Sequence, residues 1–322
     1  MLDLPLVALT RRIPQVCEQR LARDYRVRLG DDAVVFTPER LAKHAEGAAA
    51  LVVTPAEVVG ADAIAQLPAS VKVISAFSVG YEHIAVKEAN ARGMVVTNTP
   101  GVLTDATADI AMLLMLGAMR RASEGDRLVR SGAWTGWRPT QLMGTHLSGK
   151  NLGIVGLGRI GAAVAARASA FSMRILYHNR SPSRDAGALN AEFFANLDEM
   201  LPQCHVLSLH CPMSAATKGL LNARRLALLP KGAVLVNTAR GGHVVDDDLI
   251  AALQSGHIAA AGLDVYANEP ALDGRYRALD NVFLLPHLGS ATRETREAMG
   301  MMVIDNLEAV LRGQTSKNVV AL

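Results

Sequence analysis

Leu152-Gly153-Ile154-Val155-Gly156-Leu157-Gly158-Arg159-Ile160-Gly161 runs from a short apolar segment into a glycine turn, and an alanine-rich stretch, Ala162 to Phe171, follows. The order is strand, tight turn, helix. In such an arrangement Gly156 permits the turn, Gly158 lets the backbone approach a pyrophosphate and Gly161 lets helix and strand pack closely. The helix N-terminus adds free N–H groups and a positive dipole end. The backbone of Leu157, Gly158, Arg159 and Ile160 is therefore the expected phosphate cradle of a dinucleotide.

A second strand is expected at Met173 to Tyr177. A chain that holds the ribose 2′-OH of NAD usually places Asp or Glu at the end of that strand. This chain reads His178-Asn179-Arg180-Ser181 there, and the next acid is Asp185. A carboxylate would repel a 2′-phosphate. Arg180 attracts one, and Asn179 and Ser181 can donate hydrogen bonds to it. The expectation is a preference for NADP(H), with NAD(H) also accepted.

Apolar runs punctuate the rest of the chain. Leu6–Leu9, Ala50–Val53, Val71–Ile74 and Met94–Val96 read as strands, with helical patterns over Ile13–Asp24, Ala61–Leu67 and Ile84–Arg92 between them. One long helix is expected over Asp105–Val129, with Thr104 or Asp105 as its N-cap. A second series of strands runs Leu152–Val155, Arg174–Tyr177, Val206–Leu209, Ala233–Val236, Ala259–Leu263 and Val282–Leu285, and a closing helix spans about Thr292 to Leu311. Alternating strands and helices make parallel α/β sheets. Two long helices, one before Asn151 and one after the last strand, suggest a chain that leaves its first domain and returns to it. Two sequential domains are the simpler alternative.

Ligands of open α/β sheets sit at the carboxyl ends of the strands. Three segments follow predicted strands there: Asn237-Thr238-Ala239-Arg240-Gly241-Gly242, Asp264-Val265-Tyr266-Ala267-Asn268-Glu269-Pro270, and Pro286-His287-Leu288-Gly289-Ser290. Together with Ser78-Val79-Gly80-Tyr81, Asn98-Thr99-Pro100-Gly101, the glycine loop and His210-Cys211-Pro212, their order and spacing resemble the D-2-hydroxyacid dehydrogenase family over nearly the whole chain. Trp134 to Leu147 and the loop after the second strand most resemble the glyoxylate/hydroxypyruvate reductases of that family.

The resemblance implies two doubly wound parallel-sheet domains. One is a Rossmann coenzyme domain over residues 100–288. The other is a flavodoxin-like, discontinuous substrate domain over 1–99 and 289–322. It makes Arg240, Glu269 and His287 the catalytic set for reduction of a small 2-keto acid. That chemistry suits the residue types. Hydride arriving at a ketone carbon pushes charge onto the oxygen, which an acid must protonate. Histidine does so near neutral pH, and a carboxylate on its other ring nitrogen favours the charged ring and fixes its orientation. Arginine offers an always charged fork for the substrate.

By the same resemblance Thr107 lies near the nicotinamide, Asp264 contacts the nicotinamide carboxamide, Cys211 and Pro212 line the coenzyme, and Thr238 and Gly289 complete its pocket. Successive N–H groups at Ser78, Val79 and Gly80 form the expected carboxylate cradle. Trp134 and Trp137 either reach into a partner's active site or pack an ordinary interface, so a homodimer is expected. D-lactate-type and phosphoglycerate-type dehydrogenases are the alternatives within the family. A dinucleotide-sensing corepressor is the alternative outside enzymes.

Composition agrees with an enzyme. The chain has 322 residues, half of them hydrophobic, and 33 basic against 30 acidic residues leave a net charge of +3. That balance, with no dense basic run, argues against nucleic-acid binding. Cys17, Cys204 and Cys211 show no metal-ligand spacing, so no metal is expected, and they read as reduced cytoplasmic thiols. Arg11-Arg12 follows the first apolar run closely, which predicts no secretory leader. Ile110 to Met119, the most apolar stretch, is short of the roughly 18 residues of a membrane span.

Overall fold

The computed structural model describes residues 4–320. The chain divides into two compact units. One takes the residues up to Leu103 together with those from Ala291 onward, and the other is Thr104–Ser290.

The first unit holds a five-stranded parallel sheet. Its strands are β1 (Leu6–Leu9), β2 (Arg26–Leu29), β3 (Ala48–Val53), β4 (Val73–Ala76) and β5 (Val95–Thr97), in the order β2-β1-β3-β4-β5. The central strands β3 and β4 are buried almost throughout, as apolar strands are when helices cover both faces. The Arg293–Leu311 helix packs against this sheet, setting Val303, Ile304 and Leu307 among Val7, Leu9, Val52 and Val73. It starts where Thr292 accepts a hydrogen bond from the Thr295 N–H at 3.1 Å, so a side-chain cap fixes its entry.

The second unit holds a seven-stranded parallel sheet. Its strands are β6 (Asn151–Val155), β7 (Arg174–His178), β8 (Glu192–Phe194), β9 (Val206–Leu209), β10 (Ala233–Asn237), β11 (Ile258–Leu263) and β12 (Val282–Leu284), in the order β12-β11-β10-β9-β6-β7-β8. The order reverses between β6 and β9. At such a switch point the loops diverge and leave a crevice for a ligand. The Thr104–Met119 helix lies on this sheet, and missing side chains let it come close. A Cβ on Gly262 would stand 2.8 Å from Leu114 Cβ, and one on Gly117 would stand 2.3 Å from the Phe283 ring.

The structure departs from the sequence reading at three places. The helix expected over Asp105–Val129 is two helices, Thr104–Met119 and Ala122–Arg130, divided at Arg121, whose φ is 53°. Left-handed backbone at one residue ends the first helix and redirects the second. The strands β2 and β8 were not anticipated. Both are sheet edges, three or four residues long and carrying charged side chains. Among the described residues no helix is long and apolar enough to cross a membrane.

Candidate active site

The carboxyl end of β6 runs straight into the glycine turn. Gly156 has φ 100°, and a Cβ there would lie 2.6 Å from the Cys211 backbone nitrogen. The turn is thus pressed against the end of β9 with no room for a side chain. A Cβ on Gly161 would sit 2.2 Å from the Gly156 carbonyl oxygen, so this glycine lets the Arg159–Ala170 helix close onto its own turn. Gly158 differs. A Cβ built there meets no atom within 4 Å. No packing inside the protein calls for glycine at 158, and a side chain would project into open space in front of the helix N-terminus. Arg159 and Ile160 are the first residues of that helix, whose leading N–H groups lack intrahelical partners. These residues fit a dinucleotide pyrophosphate.

At the end of β7 the Asn179 side chain turns back onto the loop. Its Oδ1 accepts from the Leu157 N–H at 2.7 Å, and its Nδ2 lies 3.5 Å from the Leu157 carbonyl. Asn179 therefore braces the cradle instead of projecting a free amide. Arg180 and Ser181 are exposed, and no other described residue holds the Arg180 guanidinium.

The three expected catalytic side chains come together at the ends of β10, β11 and β12. His287 follows β12 with φ 55°. Its N–H donates to the Asp264 carbonyl at 2.9 Å. Its Nδ1 lies 2.6 Å from Glu269 Oε2. A carboxylate only accepts, so Nδ1 carries the proton and donates. Nε2 has no partner among the described residues, and the ring is 40% exposed. Glu269 is held from the other side, its Oε1 accepting from the Tyr266 N–H at 2.9 Å. Burial pushes the Glu269 carboxyl up, but the hydrogen bond from His287, the charge of His287 and the charge of Arg240 together hold it below its ordinary value. Glu269 thus stays ionised. The Arg240 loop is wedged against the same segment, since a Cβ on Gly241 would strike the Tyr266 carbonyl carbon at 1.9 Å.

Asp264 and Thr107 serve this turn from below. The fully buried Asp264 carboxylate accepts from the Leu288 N–H at 2.6 Å and the Gly289 N–H at 2.8 Å. Burial raises its pKa against those hydrogen bonds. The Thr107 hydroxyl donates to the Gly289 carbonyl at 3.0 Å. Both residues thereby fix the backbone that carries His287. Thr238 Oγ1 lies 3.4 Å from His210 Nδ1, and His210 Nε2 is 2.7 Å from Ser208 Oγ.

Tyr266 was not singled out from the sequence. Its hydroxyl, pushed up to about 12 by burial, donates to the carbonyls of Leu285 at 2.9 Å and Leu263 at 3.2 Å. It ties the exits of β11 and β12 together. Asn237 and His243 also hold backbone near this site, both through the Arg240 carbonyl. Nothing in the local sequence marks any of the three beyond position next to a strand end.

Trp137 is 79% exposed and Trp134 52%, on a segment without helix or strand that follows the Ala122–Arg130 helix. In the first unit, the loop after β4 carries Ser78, Val79 and Gly80. Ser78 Oγ donates to the Gly80 carbonyl at 2.6 Å, and Asn98 Nδ2 to the Val79 carbonyl at 2.7 Å. The N–H groups of Val79 and Gly80 donate to no described residue, which suits an anionic ligand. Among the described residues no group of three or more His, Cys, Asp or Glu side chains is placed to hold a metal ion.

Comparison with known proteins agrees with this geometry. The profile of "D-isomer specific 2-hydroxyacid dehydrogenase, NAD binding domain" matches residues 112–289. The glyoxylate reductase of Thermococcus litoralis is 40% identical over 320 residues, covering 98% of this chain and 96% of that protein. The glycerate dehydrogenase of Hyphomicrobium methylovorum is 38% identical over 309 residues, covering 95% of this chain and 96% of that one. The crystal structure of an NADPH-dependent glyoxylate/hydroxypyruvate reductase from Sinorhizobium meliloti, in complex with NADP and malonate, superposes with a TM-score of 0.86 at 34% identity, covering 98% and 97% of the two chains. A parallel sheet with a glycine cradle at its switch point, an imidazole–carboxylate pair beside an arginine, and likeness along almost the entire length lead to one assignment: the chain belongs to the D-isomer specific 2-hydroxyacid dehydrogenase family.

Proposed function

We propose that this protein is an NADP(H)-preferring reductase of small 2-keto acids, converting glyoxylate to glycolate or hydroxypyruvate to D-glycerate. The observation that carries the reading is the 2.6 Å contact between His287 Nδ1 and Glu269 Oε2, with Nε2 left without a partner among the described residues. When bound, the nicotinamide dinucleotide supplies a hydride to the ketone carbon. His287 gives its Nε2 proton to the ketone oxygen as charge develops there, and keeps Nδ1–H on Glu269 throughout. Glu269 orients the ring and stabilises its charged form. General acid catalysis of this kind is worth about 10² to 10⁴ in rate. Arg240 holds the substrate and polarises its carbonyl.

Exposed Arg180, with Ser181 beside it and no acid at the end of β7, supports preference for a 2′-phosphate. Asn179 contributes by bracing the loop. The NADPH-dependent relative points the same way, while the matched NAD binding domain keeps NAD(H) as the alternative. The exposed tryptophans on the segment after Arg130 support a homodimer. Three free cysteines, two of them buried, support residence in the reducing cytoplasm.

The test is oxidation of NADPH and NADH against glyoxylate, hydroxypyruvate, pyruvate and a phosphorylated keto acid. The expected result is highest kcat/KM with NADPH and one of the first two acids, reduced at least about 10²-fold in His287→Asn with NADPH binding intact. Retained turnover in His287→Asn, or a clear preference for NADH, would overturn the corresponding part. Coenzyme binding without turnover on any keto acid would favour a dinucleotide-sensing protein.

A further inference from the structure

His243 is fully buried, three residues past Arg240. Its Nδ1 lies 3.0 Å from the Arg240 carbonyl oxygen. A carbonyl only accepts, so Nδ1 carries the proton and donates. In the neutral ring Nε2 then accepts. Near it lie the Pro212 carbonyl oxygen at 3.4 Å, which cannot donate, and Cys211 Sγ at 3.6 Å, which can. Burial pushes the Cys211 thiol up to about 11, so it keeps its proton for this contact. The imidazole thus spans from the loop after β9 to the loop after β10.

The Arg240 carbonyl is a convergence point. Asn237 Nδ2 donates to it at 2.9 Å and the His243 backbone N–H at 3.3 Å, besides the ring. The Arg240 guanidinium donates through Nη1 to the Ala239 carbonyl at 2.7 Å. Behind it, Gly241 is pressed onto Tyr266, and a Cβ on Gly242 would stand 3.0 Å from Met213 Cε. The backbone from 237 to 243 is therefore held from three sides, and His243 makes the link that reaches the β9 loop.

We propose that His243 is a positioning residue for the reaction: its imidazole clamps the Arg240 carbonyl to Cys211, and so fixes the direction in which the Arg240 guanidinium leaves the backbone toward the keto acid. This inference rests on the reading that Arg240 holds the substrate. Misplacing a substrate-holding group by about 1 Å costs on the order of 10²-fold in rate.

The test uses steady-state kinetics with glyoxylate and fluorescence titration of NADPH. His243→Leu removes both ring nitrogens and is expected to lower kcat/KM about 10- to 100-fold, mainly through KM, with NADPH affinity changed less than about threefold. His243→Asn keeps a donor near the Nδ1 position and is expected to recover most of the loss. In an Arg240→Leu background, His243→Leu should cost less than about threefold more, since its effect passes through Arg240. Unchanged KM in His243→Leu, no recovery in His243→Asn, or an undiminished loss in the Arg240→Leu background would each overturn the proposal. If His243→Leu does not fold, His243→Gln replaces it, with its amide at the Nε2 end and the Arg240 carbonyl short of a donor. Arg240→Leu with near-native kcat/KM would overturn the parent reading. An inactive Arg240→Leu beside an unaffected His243→Leu would overturn this inference alone.

Discussion

The three glycines of the cradle serve different physical needs, and alanine at each should separate them. At Gly161 a new Cβ would lie 2.2 Å from the Gly156 carbonyl oxygen and 3.1 Å from Ile154 Cγ2. Helix and turn must part by about 1 Å, an overpacking cost of about 1–3 kcal/mol. At Gly156 the clash with the Cys211 nitrogen, 2.6 Å, adds to a φ of 100° that alanine adopts only with strain, so about 2–5 kcal/mol is expected. At Gly158 the new methyl meets nothing within 4 Å, and φ is −92°. Stability should stay within about 1 kcal/mol of the parent, because the loss of chain entropy on folding eases while alanine is a poorer N-cap. Coenzyme affinity should fall about 10- to 100-fold, since the methyl occupies the space in front of the helix N-terminus. Urea denaturation without coenzyme gives the first quantity and fluorescence titration of NADPH the second. If Gly158→Ala loses as much stability as Gly161→Ala, or binds NADPH like the parent, the assignment of that open space to the pyrophosphate is refuted.

Two further outcomes are expected. Arg180→Ala should weaken kcat/KM for NADPH about tenfold, the low end of a charge-assisted hydrogen bond at an exposed site, and for NADH by less than about threefold. An equal loss with both coenzymes would show that Arg180 does not contact a 2′-phosphate. His210 supplies a pH dependence, because burial lowers its pKa from 6.5 to about 4. As pH falls the unfolded chain takes up this proton first, so stability from keeping the ring neutral is complete above about pH 6.5 and is lost progressively toward pH 4. Between pH 7 and pH 5 the share of this one group is about 2 kcal/mol. Urea unfolding of His210→Gln should therefore show a shallower acid slope than the parent, and identical slopes would refute this.

Residues whose role is set by their own strand or turn were readable from the sequence. Gly156 needs a positive φ and Gly161 a close approach, both settled within a few residues of chain. Buried parallel strands such as β3 and β10 are uninterrupted apolar runs and announce themselves. The edge strands β2 and β8 are half exposed and short, so they lack that signature. The break at Arg121 has neither glycine nor proline to mark it. Long-range partners were hidden for another reason. Asn179 reaches back to Leu157, and His243 reaches Cys211 across more than thirty residues. Local composition does not say which distant backbone group a polar side chain will meet.

Arg240, Glu269 and His287 are equally long-range; the family resemblance names them together, and the sheet shows how they come to lie near one another. β10, β11 and β12 are consecutive neighbours, all parallel, with Asn237 opposite Leu263 and Leu263 opposite Leu284. Parallel pairing in this register puts three strand exits side by side on one edge. Arg240 stands three residues past Asn237, and His287 three past Leu284. Glu269 lies further beyond Leu263, and the Tyr266 N–H bond to its Oε1 turns that longer loop back on itself. Proximity of these side chains therefore follows from strand order, which the pairing of the sheet shows, and from exit length, which the sequence displays. Their orientation does not follow, and it depends on Tyr266, Asp264 and His243, whose contacts appear only once the sheet has formed.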